Sequence, residues 1–214
     1  MSKKILLIGG GGHCKSVLDS LLELKEYVEI GIIDKKDNVG NFVMGIPIIG
    51  CDDDLSALFN NGYKYAFVTL GSISNPMLRI KLFEKISKIG YEIPVIIDST
   101  AEVSKYAEVE KGVFIGKQCI VNPDTIIKKG SIINSGAIIE HDCRVGAFAH
   151  IAPGAVLSGG VTVGDQTHIG TNATLKQQIK IGSNTIIGIG SVVTQNIKNK
   201  IIAYGNPCRE VEKR

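Results

Sequence analysis

Residues 139–163 read IEHDCRVGAFAHIAPGAVLSGGVTV. Within them Ile139, Val145, Ile151, Leu157 and Val163 recur at every sixth place. The period runs back through Ile133, Ile127, Val121, Ile115 and Val109 to Val103, and forward through Ile169, Leu175, Ile181 and Ile187 to Val193. It does not slip once. Four places after each aliphatic site stands a small or β-branched residue, such as Ala137, Cys143, Ala149, Ala155 and Val161. Neither the 3.6-residue period of an α-helix nor the two-residue period of a simple strand produces this pattern. Strands of about five residues joined by sharp turns do, and a hexapeptide repeat marks a parallel β-helix. Three hexads make one triangular coil. Each aliphatic side chain then points inward and stacks on its counterpart one coil away, about 4.8 Å along the axis. A column of this kind is buried only by its own neighbours.

Upstream the pattern changes. Lys4 to Ile8 is an apolar run leading into Gly9, Gly10, Gly11, Gly12 and His13. Ser16 to Leu24 then places Val17, Leu18, Leu21 and Leu22 on one side of a helix, and Val28 to Ile33 forms a second strand ended by Asp34. This is a βαβ unit whose loop opens a helix N-terminus, a natural anion site. Its fit to the dinucleotide fingerprint is partial: Gly9 and Gly11 match the first two glycines, Cys14 occupies the third, and Asp34 stands near the place of a ribose-binding acid. His13, inside the loop, can donate to a phosphate or sugar oxygen. Residues 38–45 read as a loop, Ile46–Ile49 as a short strand, and a helix capped by Asp52 runs to Phe59. Lys64–Leu70 reads as a strand ended by Gly71, Pro76–Ile89 as a helix with Pro76 in its first turn, and Ile93–Ile97 as the last strand. The expectation is a small parallel sheet with Gly12, Asp34 and Gly71 on its C-terminal rim, where open α/β sheets bind ligands. The chain therefore divides into a Rossmann-like α/β domain over 1–97 and a β-helix over 98–214. Ile201–Pro207 reads as a turn, and the tail to Arg214 as a cap on the last coil.

Composition excludes several classes. The chain has 214 residues, 44% hydrophobic and 21% charged, which fits a globular protein. A formal charge of +3, without a dense basic run, gives no footprint for nucleic acid. No apolar run approaches a membrane span, and the four apolar residues after Lys4 are too short for a signal peptide. A cytoplasmic protein is expected. The five cysteines, Cys14, Cys51, Cys119, Cys143 and Cys208, are odd in number and lack metal-site spacing, so no metal is expected. Cys119 and Cys143 fall on the small inward positions, where Cys packs as a small hydrophobe. Cys14 reads as a reduced bystander.

Of four histidines, His141, His150 and His168 lie on the coils and none occupies an aliphatic site. His150 and His168 are one coil apart, and His168 reads as solvated. His141 is flanked by Glu140 and Asp142. A carboxylate beside an imidazole fixes its tautomer and raises its basicity, the requirement for a general base.

These features together, the loop Gly9 to His13, unbroken hexads, residues 139–161 and YGNPCREV at 204–211, resemble the hexapeptide-repeat nucleotide-sugar acetyltransferases of the bacillosamine-pathway type. Sialic-acid O-acetyltransferase-like proteins share the architecture. The resemblance covers nearly the whole chain. It implies a left-handed β-helix, acetyl-CoA as acyl donor, and a UDP-linked 4-amino-deoxy sugar as acceptor. It implies His141 as general base with Asp142 modulating it, and His150, Gly159, Thr171 and Ile189 at acetyl-CoA. Gly11, Gly12, His13, Asp34, Lys35 and Gly71 would hold the nucleotide sugar. A homotrimer would place the cofactor between β-helices. Lys35 departs from a second acid at its position, Ile189 from a relative's Gly, and Cys208 from the family's Ala. Other readings are sialic-acid-type O-acetylation, a metal enzyme of the γ-carbonic-anhydrase type, and a non-catalytic nucleotide-binding trimeric scaffold. Hexads alone specify only the scaffold; the imidazole–carboxylate pair is what argues for catalysis.

Overall fold

A computed structural model describes residues 3–214. The chain separates into two compact units, Met1–Ile96 and Ile97–Arg214.

The first unit runs β1 (Lys4–Ile8), α1 (Gly12–Leu24), β2 (Glu29–Ile33), a 3₁₀ turn (Lys36–Asn38), β3 (Phe42–Val43), β4 (Ile46–Gly50), α2 (Leu55–Asn60), β5 (Tyr65–Val68) and α3 (Met77–Ile89). The sheet order is β3-β4-β2-β1-β5. The last four are mutually parallel. β1 sits at their centre with Ile5 to Ile8 buried, the continuous apolar run of a strand covered on both faces. β3 pairs antiparallel with β4, so the sheet is mixed rather than wholly parallel.

Several expected boundaries move for local reasons. Helix α1 starts at Gly12 instead of Ser16, because buried Cys14 belongs to the same apolar stripe as Val17, Leu18 and Leu21. Helix α2 starts at Leu55, and Asp52 does not cap it. The carboxylate at the cap position, on Asp54, instead accepts the Cys51 N–H at 2.8 Å. Pro76 lies at the cap of α3 rather than in its first turn, with Asn75 Oδ1 accepting the Met77 N–H. The expected strand over 93–97 shrinks to Ile96–Ile97, and β5 meets only a single bridge to Glu92.

The second unit is a parallel β-helix. Each strand from Glu102–Val103 to Val192–Val193 is two residues long, not about five, because the corners use the other four of every six. Successive strands on a face pair in register, as His150 with His168 and Ile151 with Ile169. The first face carries Ile120, Ile138, Val156 and Thr174 outward; the second, Ile126, Arg144, Thr162 and Lys180; the third, Phe114, Ile132, His150, His168 and Ile186. Every aliphatic site from Ile115 to Val193 is buried, none more than 2% exposed. The small sites from Val113 to Ser191 are buried too, Cys119 and Cys143 completely. Burial pushes both thiols up to about 11, so they are inert packing groups. At every sixth place from Gly112 to Gly190 the backbone has positive φ, and this left-handed residue turns each corner. Ile201–Pro207 is not a simple turn. Ile201–Gly205 continues the third face beside Ile186–Ile187 and forms an antiparallel hairpin with Cys208–Lys213.

Candidate catalytic corner and nucleotide rim

The corner between the first and second faces carries His141. Its Nδ1 donates to Asp142 Oδ2 at 2.7 Å. The bond assigns the tautomer, with the proton on Nδ1 and Nε2 left as a lone-pair acceptor. Both side chains are about two-thirds exposed. The hydrogen bond to Asp142 first, then the charges of Asp142 and Glu140, raise the imidazole above its ordinary pKa of 6.5. The Asp142 backbone is left-handed, with φ 61°, at the required corner place. One coil on, Gly160 N–H donates to His141 O at 2.9 Å, and Gln178 N–H donates to Gly159 O. His141, Asp142, Gly159, Gly160, Gln177 and Gln178 line an open depression of about 280 Å³. An exposed, correctly protonated imidazole beside a depression can take a proton from a bound nucleophile.

The expected acetyl-CoA residues do not sit together. His150 is on the third face, and Thr171 and Ile189 are on the corner that follows it. Gly159 is on the His141 corner. Among His141, His150, Gly159, Thr171 and Ile189, one chain brings only Gly159 to the base. His150 and His168 stack edge to face, ring centroids 4.9 Å apart. His168 is not solvated: it is 7% exposed, and burial first, the Arg214 charge second, push its pKa down to about 4. Asn134 was not singled out from the sequence. Its Oδ1 accepts the Ser135 N–H, which turns its amide nitrogen to His150 Nε2 at 3.3 Å. His150 Nε2 is therefore the acceptor and its Nδ1 carries the proton. Gln177 and Gln178 were also missed, although counting forward from His141 and Asp142 reaches Gly159 and Gly160 after one coil and Gln177 and Gln178 after two.

In the first unit, a cavity of about 360 Å³ opens at the C-terminal ends of β1 and β2, lined by Gly9, Asp34, Lys35 and Lys36, by Asp52 and Asp53, and by apolar groups including Leu70 and Leu78. Asp34 Oδ2 accepts the Gly10 N–H at 2.9 Å and Oδ1 the Lys35 N–H at 2.6 Å. The carboxylate thereby ties the glycine loop to β2. A Cβ on Gly10 would come within 2.6 Å of that oxygen, so only glycine allows the tie. Gly11 and Gly12 are exposed, with open space where side chains would be. His13 packs beside Gly71 at ordinary contact distance and does not line the cavity. Burial first, and the Arg79 charge second, push it down to about 4, so it is a neutral imidazole near pH 7. Among the described residues, no group of three or more His, Cys, Asp or Glu side chains could hold a metal ion. No described helix is long and apolar enough to cross a membrane.

Comparison with known proteins follows the same division. Residues 4–86 match the PglD N-terminal domain, and residues 142–177 match the bacterial transferase hexapeptide family of six repeats. A histidine-to-asparagine variant of perosamine N-acetyltransferase from Caulobacter crescentus, solved in complex with CoA and GDP-perosamine, is 33% identical over 98% of this chain and 97% of its own, with a TM-score of 0.92. The acetyltransferase domain of PglB from Neisseria gonorrhoeae, solved with acetyl coenzyme A, is 32% identical over 99% of this chain and all of its own, with a TM-score of 0.90. WeeI from Acinetobacter baumannii, at 22% identity and a TM-score of 0.81, shares the fold.

Proposed function

The chain belongs to the PglD family of hexapeptide-repeat sugar N-acetyltransferases, acyltransferases that use acetyl-CoA on a nucleotide-linked amino sugar, and from that premise we propose that His141 is the general base of direct acetyl transfer. The observation that carries the reading is the His141–Asp142 pair, with Nδ1 held by the carboxylate and Nε2 open to the corner depression. A protonated amine has no lone pair and does not attack a thioester. As the neutral sugar nitrogen bonds to the acetyl carbonyl carbon, its proton passes to Nε2. The tetrahedral oxyanion, held by a hydrogen-bond donor, collapses, the C–S bond breaks, and the thiolate leaves and takes up a proton. No acetyl-enzyme forms, and the buried Cys143 thiol beside the corner is no nucleophile.

His150, Thr171 and Ile189 contact acetyl-CoA in this reading, and they lie away from the His141 corner of the same chain. A homotrimer resolves this, each base working with the cofactor residues of its neighbour. Light scattering should therefore give three times 22.9 kDa at micromolar concentration; a stable monomer with full activity overturns it. The N-terminal rim holds the nucleotide sugar through Gly11, Gly12, His13, Asp34, Lys35 and Gly71, and the enzyme works in the cytoplasm.

The acceptor is a 4-amino-deoxy sugar on UDP or GDP; the Caulobacter relative was solved with a GDP-linked sugar. The test is thiol release from acetyl-CoA against UDP-linked and GDP-linked 4-amino sugars and free sialic acids. Turnover with the amino sugars and none with sialic acids is expected, and the faster nucleotide series names the carrier. Turnover with sialic acids alone makes it an O-acetyltransferase. Binding of both substrates without thiol release makes it a scaffold.

A further inference from the structure

We propose that Gly159 is a positioning residue for His141: its missing side chain leaves the imidazole room to lie where Nδ1 reaches Asp142. The inference rests on His141 as the base. Gly159 follows His141 by one coil on the same corner. A Cβ built there would lie 2.7 Å from both Cε1 and Nε2 and 3.3 Å from Nδ1, and these ring atoms are its three nearest neighbours. The Cε1–Nε2 side of the ring therefore lies close against the glycine. The backbone around it is fixed by other bonds, Gly160 N–H to His141 O and Gln178 N–H to Gly159 O, both 2.9 Å.

Gly159 does not have positive φ, unlike Gly160 at 71°, so the backbone accepts alanine. The three atoms nearest to the added methyl all belong to the exposed ring. That ring yields by swinging into solvent, which breaks its 2.7 Å bond to Asp142. The charged groups that face it are Asp142 and Glu140; Gln177 and Gln178 across the depression are neutral. Gly164 is the contrast. A Cβ there would meet Ser183 N at 2.5 Å and Gly182 C at 2.7 Å, the backbone of the next coil, which does not yield.

Gly159→Ala is expected to keep the wild-type melting temperature while lowering kcat by about 10²-fold, the cost of roughly 1 Å of misplacement. Its acetyl-CoA KM should not move. In the protein without substrates, the imidazole resonances of His141 should titrate nearer 6.5 than in wild type. Gly164→Ala should lose melting temperature and leave that titration in place. A fall in kcat with an unmoved His141 titration and a raised acetyl-CoA KM would assign Gly159 to the cofactor and overturn the proposal. So would wild-type kcat, or a melting loss equal to that of Gly164→Ala. Because the titration needs no turnover, it separates this idea from the base assignment. A moved titration with full kcat in His141→Ala would sink the base and keep the positioning.

Discussion

His141→Ala should lower kcat by about 10²–10⁴-fold, the usual worth of a positioned base, and leave the binding of both substrates nearly intact. The imidazole acts mainly as the proton leaves nitrogen, so what is lost is a transition-state interaction and not a ground-state contact. The side chain is exposed on a corner, and its backbone carbonyl bond from Gly160 does not depend on the ring, so the variant should fold. Asp142→Asn should cost less and change the pH profile in a defined direction. The carboxylate stabilises the imidazolium and raises its pKa. Only the neutral ring accepts a proton, so kcat/KM rises with pH through that pKa. Removing the carboxylate lowers the pKa toward 6.5 and moves the rising limb to lower pH, while the plateau falls because the weaker base pulls less hard. The amine acceptor ionises too, but identically with both proteins, so the comparison isolates His141. Near-native kcat in His141→Ala, with loss in His150→Ala or His168→Ala, would place the base elsewhere.

The inward column was legible because burial imposes it directly. Period six admits only aliphatic residues where a coil stacks on a coil, and the phase survives from Val103 to Val193. The corner register was present but weaker. Positive φ falls on Gly112, Gly130, Gly136, Gly154, Gly160 and Gly190, but also on Gln118, Asp124, Asp142, Phe148, Gln166, Asn172, Gln178 and Asn184. A backbone demand met by such varied side chains is hard to see in composition. The His141–Asp142 hydrogen bond could be anticipated because the two residues are adjacent in sequence. The separation of His150, Thr171 and Ile189 from His141 was legible only by tracking place within a coil, since residues nine or thirty apart fall on different sides of a triangle. His168 was misread because an outward strand position on a β-helix is solvated only where nothing covers it, and covering is tertiary. In the α/β domain, helix starts moved where a polar-looking residue, Cys14, served as core, or where an acid, Asp54, closed a loop onto Cys51 instead of capping. On the rim proposed for the acceptor, the Asp34 carboxylate already holds its own glycine loop, so Asp34 by itself names no nucleotide.

The largest stability effect should come from Ile151→Asp. Ile151 is fully buried and pairs in register with Ile133 before it and Ile169 after it, both also fully buried. No aliphatic site in that column offers a side-chain hydrogen-bond partner. An ionised carboxylate placed there would face several kcal/mol of uncompensated desolvation, so the group would protonate instead. Even neutral it leaves an unsatisfied hydroxyl and carbonyl, at about 1–3 kcal/mol, and it removes an isoleucine's packing, at about 2–5 kcal/mol for large-to-small changes. The total is comparable with the roughly 5–15 kcal/mol that holds a typical domain. Each coil is stabilised by its neighbours, so the break at Ile151 should disorder coils on both sides and scatter the His141 corner of the same coil. Lys180→Ala is the control. Lys180 lies on a strand of the second face, side chain outward and exposed; its backbone N–H donates to Asn196 Oδ1 and its carbonyl accepts the Ile197 N–H, so its hydrogen bonds there survive the loss of the side chain. That change should stay within about 0.5 kcal/mol. Thermal melts of the two variants decide the register. A cooperative transition lost or lowered by tens of degrees in Ile151→Asp, with Lys180→Ala unchanged, is the expected pair, and equal losses would contradict the register.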